Sequence, residues 1–153
     1  MLGFGIGGLV DGIVLHQVLQ WHNLVSAVEP NDTLEGLQRN VFWDGVFHVV
    51  TVALAVVGIA LTWLGGLGGG RAQVAPGRLV GLVLVGWGAF HVVDQLVFHL
   101  LLGLHDIRDA ADDPALYNWG FFAIGLGLAA IGTALFRRGP SQEEQRDRST
   151  QPS

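Results

Sequence analysis

The sequence contains no cysteine, no lysine and a single methionine, Met1. Without cysteine there are no disulfides, iron–sulfur clusters or thiolate zinc sites. Without an internal methionine there is no thioether copper ligand either. Charge is scarce as well: 14% of the 153 residues are Asp, Glu, Lys or Arg, where a soluble domain carries about a quarter. All eight basic residues are arginine, and a formal charge of −5 leaves no basic patch for a nucleic-acid partner. What abounds is apolar: half the residues are hydrophobic and the mean hydropathy is +0.47.

That excess is organised in four runs, at about 2–24, 41–65, 79–104 and 117–136. Each approaches the ~20 residues that cross a hydrocarbon core. The fold class expected is therefore all-α, an integral membrane four-helix bundle over 1–136 in contact with the lipid bilayer. Glu29–Asp32, the glycines at 65–70 with Pro76–Gly77, and Asp109–Pro114 separate the runs. Residues 137–153 are polar and read as a disordered tail. Arg71, Arg78, Arg137 and Arg138 flank one side, whereas Arg39 and Arg108 sit among acids. Arginine counting then puts both termini in the cytoplasm and the two acidic loops outside. The first run lacks a basic n-region and an A-x-A site, so it does not read as a signal peptide, and the true start is open to lying upstream of Met1.

An internal repeat stands at an offset of 83. Gly3, Gly5, Val10, Asp11, Val14, His16, Leu19 and His22 match Gly86, Gly88, Val93, Asp94, Val97, His99, Leu102 and His105. One intervening helix gives both copies the same polarity, so the bundle reads as a duplicated two-helix hairpin with a pseudo-two-fold axis along the membrane normal. In helices 2 and 4 the match is poor: Asp44 and His48 have at best Asn118 and Phe122 as counterparts.

All six histidines fall in or at the ends of these runs. A buried ionisable group costs ~3 kcal/mol or more at the bilayer centre, so such groups normally mark function. Counting ~1.5 Å per residue from the outer helix ends places His16, His48 and His99 at one depth, about 10 Å down. His22, His105 and Asp44 lie above that layer, and Asp11 and Asp94 lie below it. The expected metal set is thus His16, His48 and His99, with Asp11, His22 and His105 as further ligands. Asp44 and Asp94 are the candidate proton acceptors in catalysis. The metal expected is zinc, copper(II), iron or manganese, because no sulfur is present. His16 is rotated about 140° from Asp11 on an α-helix, so either the polar sector is broad or a π-bulge rotates the outer half. The bland alternative for the histidines is interhelical hydrogen bonding. For Trp21, Trp43 and Trp119 it is anchoring at the interface, and for the Gly-x-Gly pairs close helix packing.

The string from Gly3 to His22, with Asp44-Gly-Val-Phe-His48 and His99–His105, resembles a group of bacterial membrane proteins catalogued as domain of unknown function twenty-two forty-three. The resemblance covers helices 1 to 3 well and helix 4 weakly. It implies four helices in a bacterial inner membrane and no established activity. The sequence departs from the group at Asn23 and Asp106, where paired histidines are usual, and at His91 and Asp94–Gln95. Four functions stay open: a metal-binding protein that extends to a small metalloenzyme; a b-type cytochrome with haem b between His16 and His99; a proton or metal-ion transporter, as a homo-oligomer; and an assembly subunit with a respiratory-complex partner.

Overall fold

The computed structural model describes residues 1–68 and 75–138. The expected disordered tail beyond Arg138, and Arg71 with most of the glycine-rich loop, lie outside the described residues. Four helices and no strands are present among those described. Helix α1, Leu2–Asp11, continues without a break into a π-helical segment, Gly12–Val18. Helix α2 runs over Leu34–Gly68 and α3 over Pro76–Asp94. A second π segment, Gln95–Leu101, extends α3, and α4 covers Pro114–Arg138.

Local chemistry sets the starts. The Thr33 hydroxyl accepts the Gly36 N–H at 3.0 Å and caps α2. Pro76 and Pro114 open α3 and α4, where the missing N–H costs nothing. Helix 2 begins earlier than the hydropathy run because Leu34–Asn40 is helical although polar. At 35 residues it is roughly 50 Å long, more than the hydrocarbon core requires. Among the described residues, three helical stretches are long and apolar enough to span: Leu34–Gly65, Pro76–Leu101 and Pro114–Arg138. Leu2–Val18 is apolar but shorter, since the chain leaves the helix six residues before the expected end.

Helices α1 and α3 form the inner pair, with α2 packed on α1 and α4 on α3. Glycines let the backbones touch. A Cβ at Gly5 would lie 2.5 Å from the Ala55 N, and one at Gly88 would lie 2.7 Å from the Ala129 N. Contacts of Leu2 with Gly58, of Gly3 with Val83 and of Gly81 with Phe136 gather Met1 and the far end of α4 at one end of the bundle. The segments 19–33 and 102–113 close the other.

Burial is inverted relative to a soluble protein. Val49, Trp63 and Leu101 are 70%, 70% and 76% exposed, whereas Asp11, His16, Asp44, Asp94 and His105 are almost wholly buried. An apolar exterior around a polar interior suits a bilayer as solvent.

Candidate metal centre

The π segments decide where the side chains of α1 and α3 go. An i→i+5 ladder brings residues five apart onto one face, as an α-helix does for residues four apart. Asp11 and His16 are five apart, and so are Asp94 and His99. The 140° conflict on α1 disappears for that reason: His16 Nε2 stands 3.3 Å from Asp11 Oδ2. In the second segment His99 Nε2 donates to Asp94 Oδ2 at 2.9 Å.

Both segments end alike. Leu19 N bonds Val14 O and Trp21 N bonds Leu15 O; Leu102 N bonds Val97 O and Leu104 N bonds Phe98 O. Gln20 and Gly103 both take positive φ, at 52° and 58°. Each of these pairs is separated by 83 residues. The left-handed residue turns the chain inward, so His22 and His105 are carried into the bundle. There each ring is tied to the opposite loop. His22 Nδ1–H donates to Ile107 O and His105 Nδ1–H to Leu24 O, both at 2.9 Å. The loops also bond directly, Ala27 N to Leu104 O and Asp109 N to Trp21 O.

Four imidazoles therefore form one run. Ring centroids are 4.4 Å apart for His16 and His22, 4.5 Å for His22 and His105, and 4.3 Å for His105 and His99. His22 and His105 stack face to face with 3° between their planes. Two groups of three, Asp11/His16/His22 and Asp94/His99/His105, each place ligand atoms within 4.8 Å of one another.

The hydrogen bonds also fix the tautomers. A carbonyl only accepts, so His22 and His105 carry the proton on Nδ1 and the lone pair on Nε2. His16 Nδ1 donates to Asp44 Oδ1 at 2.8 Å, which leaves its Nε2 toward Asp11. Burial holds the His105 imidazole well below its ordinary value, and the His22 and His99 rings push the same way. The Nε2 atoms of His16, His22 and His105, Nδ1 of His99 and Oδ1 of Asp11 are all buried without a hydrogen-bond partner. Orphaned buried polar atoms are rare, and five on the residues of these two groups are the signature of a site that binds something.

Of the expected trio His16, His48 and His99, the run contains His16 and His99 but not His48. His48 is only partly buried, its Nδ1–H donates to its own turn at Asp44 O, and its ring packs on Gly12 and Phe47. His48 belongs to neither group of three. His22 and His105, expected nearer the surface, take the centre instead, because depth counted along straight helices ignores the inward turn. Asp44 is spent on positioning: beyond His16 it accepts Asn23 Nδ2 at 2.6 Å and Leu24 N at 2.8 Å. Asp94 is engaged by His99. His91 is satisfied, with Trp87 Nε1 donating to its Nε2 and its Nδ1 facing Phe121 O. Trp43 and Trp119 are exposed as interface anchors would be, but Trp21 is half-buried against Tyr117.

Two kinds of buried group escaped the sequence. Gln95 is fully buried with both amide atoms unpartnered, and its only signal was a neutral amide next to Asp94 in an apolar run. The carbonyls of Leu24 and Ile107 leave no signal at all, because any residue supplies one.

A family model described as "predicted membrane protein (DUF2243)" matches residues 1–139. The chain belongs to this family. DUF2243 carries the membrane assignment with it, in agreement with the apolar exterior, and the resemblance seen in the first three helices extends through the fourth. Neither a curated protein nor a solved structure matches the chain.

Proposed function

We propose that this DUF2243 protein is a membrane metal-binding protein whose two Asp/His/His groups each hold a transition-metal ion. The observation that carries the reading is that each group of three brings its ligand atoms within 4.8 Å of one another, with orphaned imidazole nitrogens in both groups. Two histidines and one carboxylate, with coordination positions left over, are the donor set of non-haem iron sites and also accommodate zinc or copper(II). The carbonyls on His22 and His105 and the carboxylate on His16 are the outer partners that orient ligating imidazoles. A bis-imidazole haem between His16 and His99 has less support, since contacts run from one to the other through His22 and His105.

Elemental analysis and an absorption spectrum of the detergent-solubilised protein test this. The expected outcome is one ion per group of three, no Soret band, and loss of metal in His22→Ala and His105→Ala. Retention of metal by both variants, or none in the native protein after loading, sinks the reading.

We further infer that the two hairpins arose by duplication, on the strength of the ladder ends, positive-φ residues and crossed His–carbonyl bonds that recur at 83 residues. Arginine placement supports cytoplasmic termini and a metal centre nearer the outer face of the inner membrane. A reporter fused after Arg138 is expected in the cytoplasm, and one at Asp32 or Asp112 outside. The reverse labelling would turn the centre inward without altering its ligands.

A further inference from the structure

His22 and His105 stand between the two groups of three, and their stack decides how the groups relate. The ring planes are 3° apart with centroids at 4.5 Å, a distance at which coplanar rings would collide, so one ring lies over the other. The Nδ1 bonds to Ile107 O and Leu24 O hold both rings in that posture. Each unpartnered Nε2 directs its lone pair within its own plane, and stacked planes are about 3.5 Å apart. An ion shared by both rings would stand about 1.8 Å out of each plane, nearly the full length of a metal–nitrogen bond. One ion therefore cannot serve both. The outer imidazoles keep to their own sides as well. His16 is 4.4 Å from His22 but 6.1 Å from His105, and His99 is 4.3 Å from His105 but 6.1 Å from His22.

Two ions, one on each ring, are nevertheless close. An ion about 2.1 Å from Nε2 lies roughly 3.3 Å from the centre of that ring. Added at both ends of the 4.5 Å stack, this puts the ions no more than about 11 Å apart. All six residues of the two groups are buried, so little water lies there to screen one ion from the other.

We propose that the two ions form one interacting pair across the His22–His105 stack, within about 11 Å of each other, and not two independent sites. The inference rests on the metal reading and adds that whatever binds or reduces one ion is felt at the other. Copper(II) alone, titrated into the full detergent-solubilised chain, tests it by low-temperature EPR with copper per chain measured in parallel. Well below one copper per chain, the spectrum should be that of an isolated ion with nitrogen superhyperfine lines resolved. At two coppers per chain those lines should be lost to broadening by the neighbouring spin. His105→Ala leaves only the first group complete, so it should keep the isolated-ion spectrum however much copper is added. His22→Ala, which leaves only the second group complete, should do the same. Two coppers per chain with the line shape of one at twice the intensity would overturn the pair and leave metal binding intact. Saturation at one copper per chain, or broadening that persists in both variants, would overturn it as well. A native chain that takes up no copper defeats the metal reading and the pair with it.

Discussion

Asp44 and Asn118 occupy corresponding places in the two halves, although they are separated by 74 residues rather than 83. Asp44 accepts the N–H of Leu24, and Asn118 accepts that of Ile107 at 2.9 Å. Asp44 also takes Asn23, while Asn118 gives its amide to Asp106. The difference falls on the neighbouring histidine. Asp44 holds His16 by Nδ1 and leaves Nε2 free, whereas His99 has no acceptor at Nδ1 and donates Nε2 to Asp94 instead. In the first group His16 thus offers Nε2 with its Nδ1 anchored by Asp44, whereas in the second His99 offers Nδ1 with its Nε2 anchored by Asp94. In a His105→Ala background, where only the first group is complete, Asp44→Asn is expected to weaken metal binding by about 10–100-fold. Competition titration with a chromophoric chelator measures this, and an unchanged affinity would show that Asp44 has no hold on the ligand. The charged members of both groups were legible in the sequence because each interrupts an apolar run. What was not legible is which nitrogen each histidine offers, since backbone carbonyls of distant residues decide it.

Among the elements, the π segments carry the most information. The sequence showed the conflict they resolve, a carboxylate and an imidazole five residues apart on one helix, but a broad polar face would have met it equally well. The helix ends were less legible. Inward turns at Gln20 and Gly103 follow no strong signal at position 20, where a glutamine adopts φ 52° that glycine adopts freely. Hence the inward placing of the outer histidines was not legible. Removal of Ile13, which is 50% exposed, should be tolerated: the segment reverts to α spacing with Asp11 and His16 four apart and still on one face. An alanine inserted after Ile13 puts them six apart and separates them. Metal retained by the deletion variant and lost by the insertion variant is the expected pattern; equal loss in both would mean that the π geometry itself is needed.

At the scale of the whole molecule, four apolar runs made the all-helical architecture readable, because span length survives in sequence when packing detail does not. The loop crossing did not survive, since neither loop marks its partner. Each half orients its inner histidine with a carbonyl from the other, so the two halves should not respond independently. A double-mutant cycle on His22→Ala and His105→Ala, read by thermal unfolding in detergent, should give a coupling of about 0.5–3 kcal/mol, and simple additivity would show that the crossed bonds carry no cooperativity. On the duplication proposed above, the crossing has a historical consequence too. A single hairpin could not have oriented its own histidine, so an ancestor of one hairpin would have worked as a parallel homodimer, with these same bonds made between subunits. In such a dimer every substitution appears twice. On that reading, fusion into one chain lifts the constraint, and only then can one side keep Asp44 while the other takes Asn118, or one side keep Gly8 while the other acquires His91. Specialisation of the two sides is what the joined chain makes available to selection.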